Sequence, residues 1–498
     1  MKIVGSKSFS KARECLVVFC FKKTKEKPVI YSHNTIIDKR FSSIDLKNKY
    51  IQKENDYVIL YKIDGFQKVI IFALGKNDES FRGEASRKNA FHLLKILRNT
   101  ETTDIDLTRL EDISRAVGLD ADKFVSSLTE GLLLSSYEFT KYRTKNDGEK
   151  KSKRKVKNIR LVCGTSIARI IKETSIICEG TFLARDLVNE PSNVINSLTL
   201  SKKAKSISKK FKYKTTVFDK KKLEILGMGG VLGVNAGSTT PARLIISEYR
   251  HPGSKKTLLL VGKGVTFDTG GISLKPSKNL GDMKSDMAGG AVVLSTLMVV
   301  SQLNLKAHII GIVPATDNKP GSSAQNPGDI VKMYNGLTVE VANTDAEGRL
   351  ILADAMSYGI KQYKPDLTID IATLTGACII ALGHRAAGLM TNTPSIVSDI
   401  SKAGNDTYER VWHMPLYSDY EEQLKSEIAD VKNIGGRPAG SITAAKFLEK
   451  FVAGKPWMHI DIAGTAFIET VSNYLPKGAT GFGVRLLTAF IKDWISDK

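Results

Sequence analysis

The residue types able to do chemistry gather in three segments of the second half of the chain. Val261-Gly-Lys-Gly-Val-Thr-Phe-Asp-Thr-Gly-Gly-Ile-Ser-Leu-Lys-Pro276 leaves an apolar run and carries Lys263, Asp268 and Lys275 on a glycine-rich loop, where backbone can approach a ligand closely. Asp282-Met-Lys-Ser-Asp286 precedes a helix start at Ala288-Gly-Gly, and Asn343-Thr-Asp-Ala-Glu-Gly-Arg-Leu350 precedes another helix. If the latter stretch is extended, alternate side chains share a face, so Asp345, Glu347 and Arg349 point into one cavity. Carboxylates brought together repel unless divalent cations compensate them. Two ions roughly 3.5–4 Å apart need bridging and terminal ligands and turn a water into a nucleophile near neutral pH. Asp268, Asp286, Asp345 and Glu347 supply the oxygens. A lysine joins only as the neutral amine, a state adjacent cations favour, and Lys263 suits that part while Lys275 stays charged. Against this stands a plainer interpretation: loop carboxylates are usually solvated, Asp286 could simply cap a helix, and Asp345, Glu347 and Arg349 could form a surface ion pair worth little. On spacing alone the two are level.

The elements that must position these residues follow from periodicity. In the first 160 residues, apolar runs at Cys15–Phe21, Tyr57–Ile63 and Val69–Leu74 alternate with helical patterns at Arg87–Leu97 and Lys123–Tyr137, which predicts a small α/β domain. Residues 150–155 are a basic run expected in an exposed loop, and Ile159–Cys163 is a strand pattern. Ser166–Leu187 has the apolar spacing of a helix bridging two domains. Beyond it, strand patterns at Tyr213–Phe218, Arg243–Tyr249, Thr257–Val261, His308–Val313 and Leu367–Ile371 are separated by helices that include Gly289–Ser301 and Gly348–Lys361. Such alternation predicts a mixed, mostly parallel sheet flanked by helices, with ligands at the carboxyl ends of its strands. The expected division is an N-terminal α/β domain over 1–165, a linker helix over 166–192 and a catalytic domain over 193–498.

Asn343-Thr-Asp-Ala-Glu-Gly-Arg-Leu350 resembles the signature of the leucine aminopeptidases, also called cytosol aminopeptidases. Similar to that family as well are Ala184-Arg-Asp-Leu-Val-Asn-Glu-Pro-Ser192, the Val261–Pro276 segment, Ala372-Thr-Leu-Thr-Gly-Ala377, Asn433-Ile-Gly-Gly-Arg-Pro438, Asp461-Ile-Ala-Gly-Thr465 and Lys477-Gly-Ala-Thr-Gly481. The resemblance runs in order from about Arg185 to Leu487 and is weaker before it. It implies a metallo-exopeptidase that removes leucine-like N-terminal residues from short peptides. In that reading Asp268 and Glu347 bridge two divalent ions, manganese or zinc, while Lys263 and Asp286 complete one site and Asp345 the other. Lys275 then stabilises the oxyanion, and Arg349 holds a bicarbonate that acts as general base. The side-chain pocket carried over from matching positions comprises Met283, Asn343, Thr373, Gly376 and Ala463. A homohexamer is implied too.

Bulk properties bound what else the chain does. Its net charge of +22 belongs almost wholly to the first half: residues 1–250 hold 49 Lys+Arg against 28 Asp+Glu, and residues 251–498 hold 25 against 24. Residues 151–220 carry 17 against 5, a surface that attracts polyanions. A second reading, from a different class, is therefore a basic DNA-binding or scaffolding protein on the same fold, and some bacterial members of the family bind DNA. No aromatic-basic interleaving or groove-reading helix supports it. Five cysteines without framework spacing fit a reducing compartment, and the charged N-terminus offers no signal-peptide stretch, so a cytoplasmic protein with no membrane partner is expected. Gly227-Met-Gly-Gly-Val-Leu-Gly233 misses dinucleotide-loop spacing, Cys378 has no visible base, and His384 and His459 are assigned no role.

Overall fold

The computed structural model describes residues 1–21, 29–31, 53–74, 82–144, 156–163 and 167–496. The basic run 150–155 lies outside them. The chain divides into two compact units, Met1–Cys178 with Val471–Pro476, and Glu179–Thr470 with Lys477–Lys498. One helix, Ala168–Asn189, contains the point of division.

The first unit is built on a seven-stranded sheet. Its order is Lys2–Ser6, Asn158–Val162, Asp104–Leu107, Cys15–Phe21, Phe66–Leu74 and Tyr57–Ile63, with Val29–Tyr31 paired to Cys15–Phe21. The first five of these pair in parallel, and Cys15–Cys20 are buried throughout, as a central strand covered on both faces must be. The edge hairpin turns through Asp64-Gly65, both with positive φ, the geometry that a two-residue turn between twisted strands requires. Helices Arg82–Asn99 and Ala121–Ser135 are joined through Arg87, which bonds Glu130 and lies 3.6 Å from Glu84. Glu84 also accepts from the Tyr474 hydroxyl at 2.7 Å, which ties the 471–476 segment into this unit although it lies far along the chain.

The second unit holds a nine-stranded mixed sheet of order Val411–His413, Ala387–Thr391, Trp457–Asp461, Leu367–Ala372, Thr257–Gly262, His308–Asn318, Arg243–Arg250 and Lys214–Phe218, with Gly264–Asp268 also paired to His308–Asn318. Four adjacent strands, from Trp457–Asp461 to His308–Asn318, run parallel. Helix Ala288–Gln302 is buried over Ala288–Val300, and the 23-residue segment Leu280–Gln302, long and apolar enough to cross a membrane, has 89% of its most apolar window buried inside the protein. It is a core helix. Helix Gly348–Tyr363 is buried from Gly348 to Ile360 and joins a core with Leu259, Val261, Ile310 and Trp457.

Candidate metal centre

The carboxyl ends of those four parallel strands converge on one place. Lys263 follows Thr257–Gly262, Asn318 ends His308–Asn318, Thr373 follows Leu367–Ala372 by one residue, and Ala463 follows Trp457–Asp461 by two. Asp268 closes the short strand Gly264–Asp268, and Asp286 sits in a 3-10 turn, Leu280–Met287. Met287, not Asp286, occupies the cap position of the following helix and makes no side-chain cap bond, so capping does not account for Asp286.

Asp345, Glu347 and Arg349 do not alternate along an extended stretch as expected. Residues 343–346 form a turn closed by Ala346 N–H to Asn343 C=O at 3.2 Å, and the helix has begun by Gly348. Arg349 therefore reaches the site from the first helical turn. Gly348 has to lack a side chain, since a Cβ there would lie 2.5 Å from Lys263 Cε and 2.7 Å from its Nζ. Gly270 and Gly271, with φ of 88° and 67°, turn the chain after Asp268 so that Lys275 returns to the same cavity.

That cavity, of about 390 Å³, is lined by Lys263, Asp268, Lys275, Asp286, Asp345 and Arg349 together with Met283, Asn343, Thr373, Gly376 and Ala463. Glu347 is 1% exposed at its edge. Carboxylate oxygens of Asp268, Asp286 and Glu347 lie within 4.8 Å of one another. Asp345 stands outside this trio and joins it through Lys275, whose ammonium bonds Asp345 and lies 2.9 Å from Asp268. Lys263 Nζ is 2.7 Å from Asp286, 2.8 Å from Glu347 and 3.0 Å from the Thr373 carbonyl it donates to.

The electrostatics are those of acids crowded into a dry place. Burial opposes a charge on Lys263, but Asp286, Glu347 and Asp268 outweigh it and hold the lysine above its ordinary range. Lys275 is raised in the same way, burial being offset by Asp268, Glu347 and Asp345. With one ammonium shared between two carboxylates, burial leaves Asp286 well above the carboxylate range and Glu347 raised as well. Burial lowers Arg349 to about 10. Glu347 Oε2 is buried and makes no hydrogen bond or ion pair among the described residues, and Arg349 Nε is buried without a hydrogen bond. Four carboxylates against two lysines and an arginine, with an orphaned buried oxygen among them, fit a pair of divalent cations.

Residues 182–488 match the catalytic domain of the cytosol aminopeptidase family and residues 17–146 match its N-terminal domain. The chain belongs to the cytosol aminopeptidase family. Two proteins called probable cytosol aminopeptidases are similar to it: one from Chloroherpeton thalassium, 45% identical and covering 89% of this chain and 90% of the relative, and one from Chlorobium phaeobacteroides, 42% identical and covering 99% and 100%. Among solved structures, the bottromycin maturation enzyme BotP in complex with Mn superposes with a TM-score of 0.85 at 28% identity, covering 97% of this chain and all of that one. The protein is accordingly a metal-dependent aminopeptidase of two-domain α/β architecture.

Two asparagines to which the sequence assigned no part also hold the site together. Asn318 Nδ2 donates to Asp268 at 2.8 Å and to the Thr344 carbonyl at 3.0 Å. Thr344 in turn bonds Gly270 and Ser273, stitching the 268–275 loop to the 343–347 turn. Asn433, fully buried, holds that turn from the other side: its amide donates to Asn343 C=O at 2.7 Å and accepts from Ala342 N–H at 2.9 Å, and its carbonyl accepts from Arg349 at 2.8 Å. The quoted motif Asn433–Pro438 was the one available signal for Asn433. Asn318 had none. His459 pairs with Asp370 at 2.6 Å in the core, His384 bonds the Gly464 carbonyl, and neither lines the cavity. Burial raises the Cys378 thiol to about 12, as suits an inert packing residue, and all five cysteines are buried.

Proposed function

We propose that the chain removes leucine-like N-terminal residues from short peptides, using two divalent ions, manganese or zinc, held by Lys263, Asp268, Asp286, Asp345 and Glu347. The carrying observation is the buried carboxylate trio with its unpartnered Glu347 oxygen. Bound there, the ions supply Lewis acidity toward the scissile carbonyl and the attacking water. Asp268, Asp286 and Glu347, with Lys263 between them and Asp345 beside Lys275, would hold the ions. To act as a ligand Lys263 gives up the proton that now pairs it with Asp286 and Glu347. Lys275, fixed at the cavity wall, directs its ammonium at the charge developing on the carbonyl oxygen. Arg349, with a free buried Nε, would hold bicarbonate as the proton acceptor for the water.

Met283, Ala463, Gly376 and Thr373 give the cavity apolar walls with few hydrogen-bonding groups, which suits a branched aliphatic side chain. A Cβ at Gly376 would meet nothing within 4 Å, so that position leaves room for the substrate. The names of the relatives support a cytoplasmic setting, and family resemblance supports a homohexamer. BotP's complex with Mn supports manganese among the candidate ions. Hydrolysis of leucine p-nitroanilide, its loss on chelation and its return with manganese or zinc test this reading. Intact protein that never cleaves the substrate under any metal loading would overturn it, and a panel of amino-acid amides tests the leucine preference.

A further inference from the structure

A second cavity of about 550 Å³ lies in the catalytic unit, within the range of about 300–1,000 Å³ usual for small-molecule sites. Tyr334, half-buried, stands in its lining, with Ile360 and Phe451 almost fully buried behind. Four lysines, Lys361, Lys364, Lys450 and Lys455, stand around it, and no acidic residue lines it. Lys450 is already paired with Glu421 at 2.9 Å, whereas Lys361, Lys364 and Lys455 form no ion pair among the described residues. The Lys361 ammonium sits 5.6 Å from the centroid of the Tyr334 ring. A helix C-terminus attracts cations, which accounts for Lys361 in the last turn of Gly348–Tyr363. It does not account for Lys455, which lies in a loop beyond a different helix, nor for an open space beside the Tyr334 ring between the charges.

The walls of this cavity are fastened to the helix that carries the metal site. Gly348–Tyr363 starts beside Glu347 and reaches Ile360 and Lys361, in its last turn, about 18–20 Å further on. Along it, the Asp354 carboxylate accepts from Tyr334 N–H at 2.8 Å, and the Ser357 hydroxyl donates to the Phe451 carbonyl at 3.0 Å. Helix Gly440–Glu449 makes the same journey, since Gly440 and Thr443 line the metal cavity and Lys450 and Phe451 line the second one.

We infer that the second cavity is an effector site for a small organic phosphate bearing a planar ring, of the nucleoside phosphate class. The ring lies against Tyr334, the phosphate meets Lys361, Lys364 and Lys455, and occupancy moves Tyr334 and the helix it hangs from. The binding half stands apart from the peptidase reading, and the effect on turnover rests on it. AMP, whose single phosphate competes weakly for divalent ions, is the probe. Calorimetry on metal-loaded protein is expected to show one saturable AMP per chain, weakened at least tenfold in K361Q/K364Q and retained in K361R/K364R. Saturating AMP is expected to change kcat/KM for leucine p-nitroanilide several-fold in the parent and not in K361Q/K364Q, whose basal activity is unchanged. The inference is overturned if no saturable binding is found, if K361Q/K364Q binds as the parent does, or if inorganic phosphate alone binds as tightly. Binding that leaves kcat/KM unmoved overturns the effector role.

Discussion

Replacing Lys263 with methionine keeps the length of the side chain and removes its charge. In the metal-free protein this ammonium is the group that touches both Asp286 and Glu347, and all three side chains are less than 9% exposed. Lys275 does not take over, because it is engaged with Asp268 and Asp345. Breaking a buried pair by removing one partner costs about 3–5 kcal/mol. For a unit of this size that is a drop of about 5–8 °C in the melting temperature measured in chelator. The loss depends on pH in a definite sense. Asp286 and Glu347 are already held above their ordinary range, and without Lys263 they rise further. A carboxyl whose folded pKa is raised loses stability as pH rises through the window above its unfolded value, so the deficit grows from pH 5 to pH 8. Saturating manganese or zinc replaces the missing charge and narrows the gap, stabilising the variant more than the parent. Differential scanning fluorimetry in chelator and in metal, at pH 5.5 and 8, reads all of this. A variant that melts within about 2 °C of the parent in chelator at pH 8, or a gap that metal leaves unchanged, would refute the charge-balance argument.

K275M removes the cation at the cavity wall without touching Lys263, and kcat should fall about 10²–10³-fold with KM and metal content little changed; a fall in metal content instead would make Lys275 a structural partner of Asp268. N433A leaves Ala342 N–H and Asn343 C=O without their side-chain partner at a partly buried turn, a cost of about 1–2 kcal/mol, and loosens the turn that sets Asp345, so both melting temperature and kcat should drop. Burial raises the Asp354 carboxyl to about 7. Over pH 5 to 8 the unfolded carboxyl is already ionised while the folded one keeps its proton until about pH 7, so this group removes roughly 2–3 kcal/mol of stability as pH rises. In D354N that slope is absent, and the stability difference between parent and variant, followed by urea unfolding across this range, should shrink by that amount with rising pH; a constant difference rules it out.

Much of the fold was legible because burial imprints itself on local pattern. Cys15–Phe21 and Tyr57–Ile63 are strands at the residues their apolar runs mark, and Thr257–Gly262 and Leu367–Ala372 each extend one residue beyond the pattern. His308–Asn318 runs five residues past its apolar stretch, since pairing with Gly264–Asp268 extends it through Pro314-Ala-Thr-Asp-Asn318, where polar side chains are wanted near the site. The expected strand-like alternation of Asp345, Glu347 and Arg349 failed for a related reason. The helix does begin at Gly348, as its pattern marks; what the pattern does not carry is the seat of the Lys263 side chain against Gly348, a contact between residues 85 apart that no window of neighbouring residues contains. Asn318 and the Val471–Pro476 return were hidden in the same way: each does its work through partners distant in the chain.

The proposed peptidase chemistry depends on two divalent ions sharing one nest of carboxylates. Anomalous diffraction from crystals grown with manganese tests it directly: two peaks per chain are expected, both in contact with Asp268 and Glu347, one with Lys263 and Asp286 and the other with Asp345. A single peak, or manganese bound only away from these side chains, would contradict it.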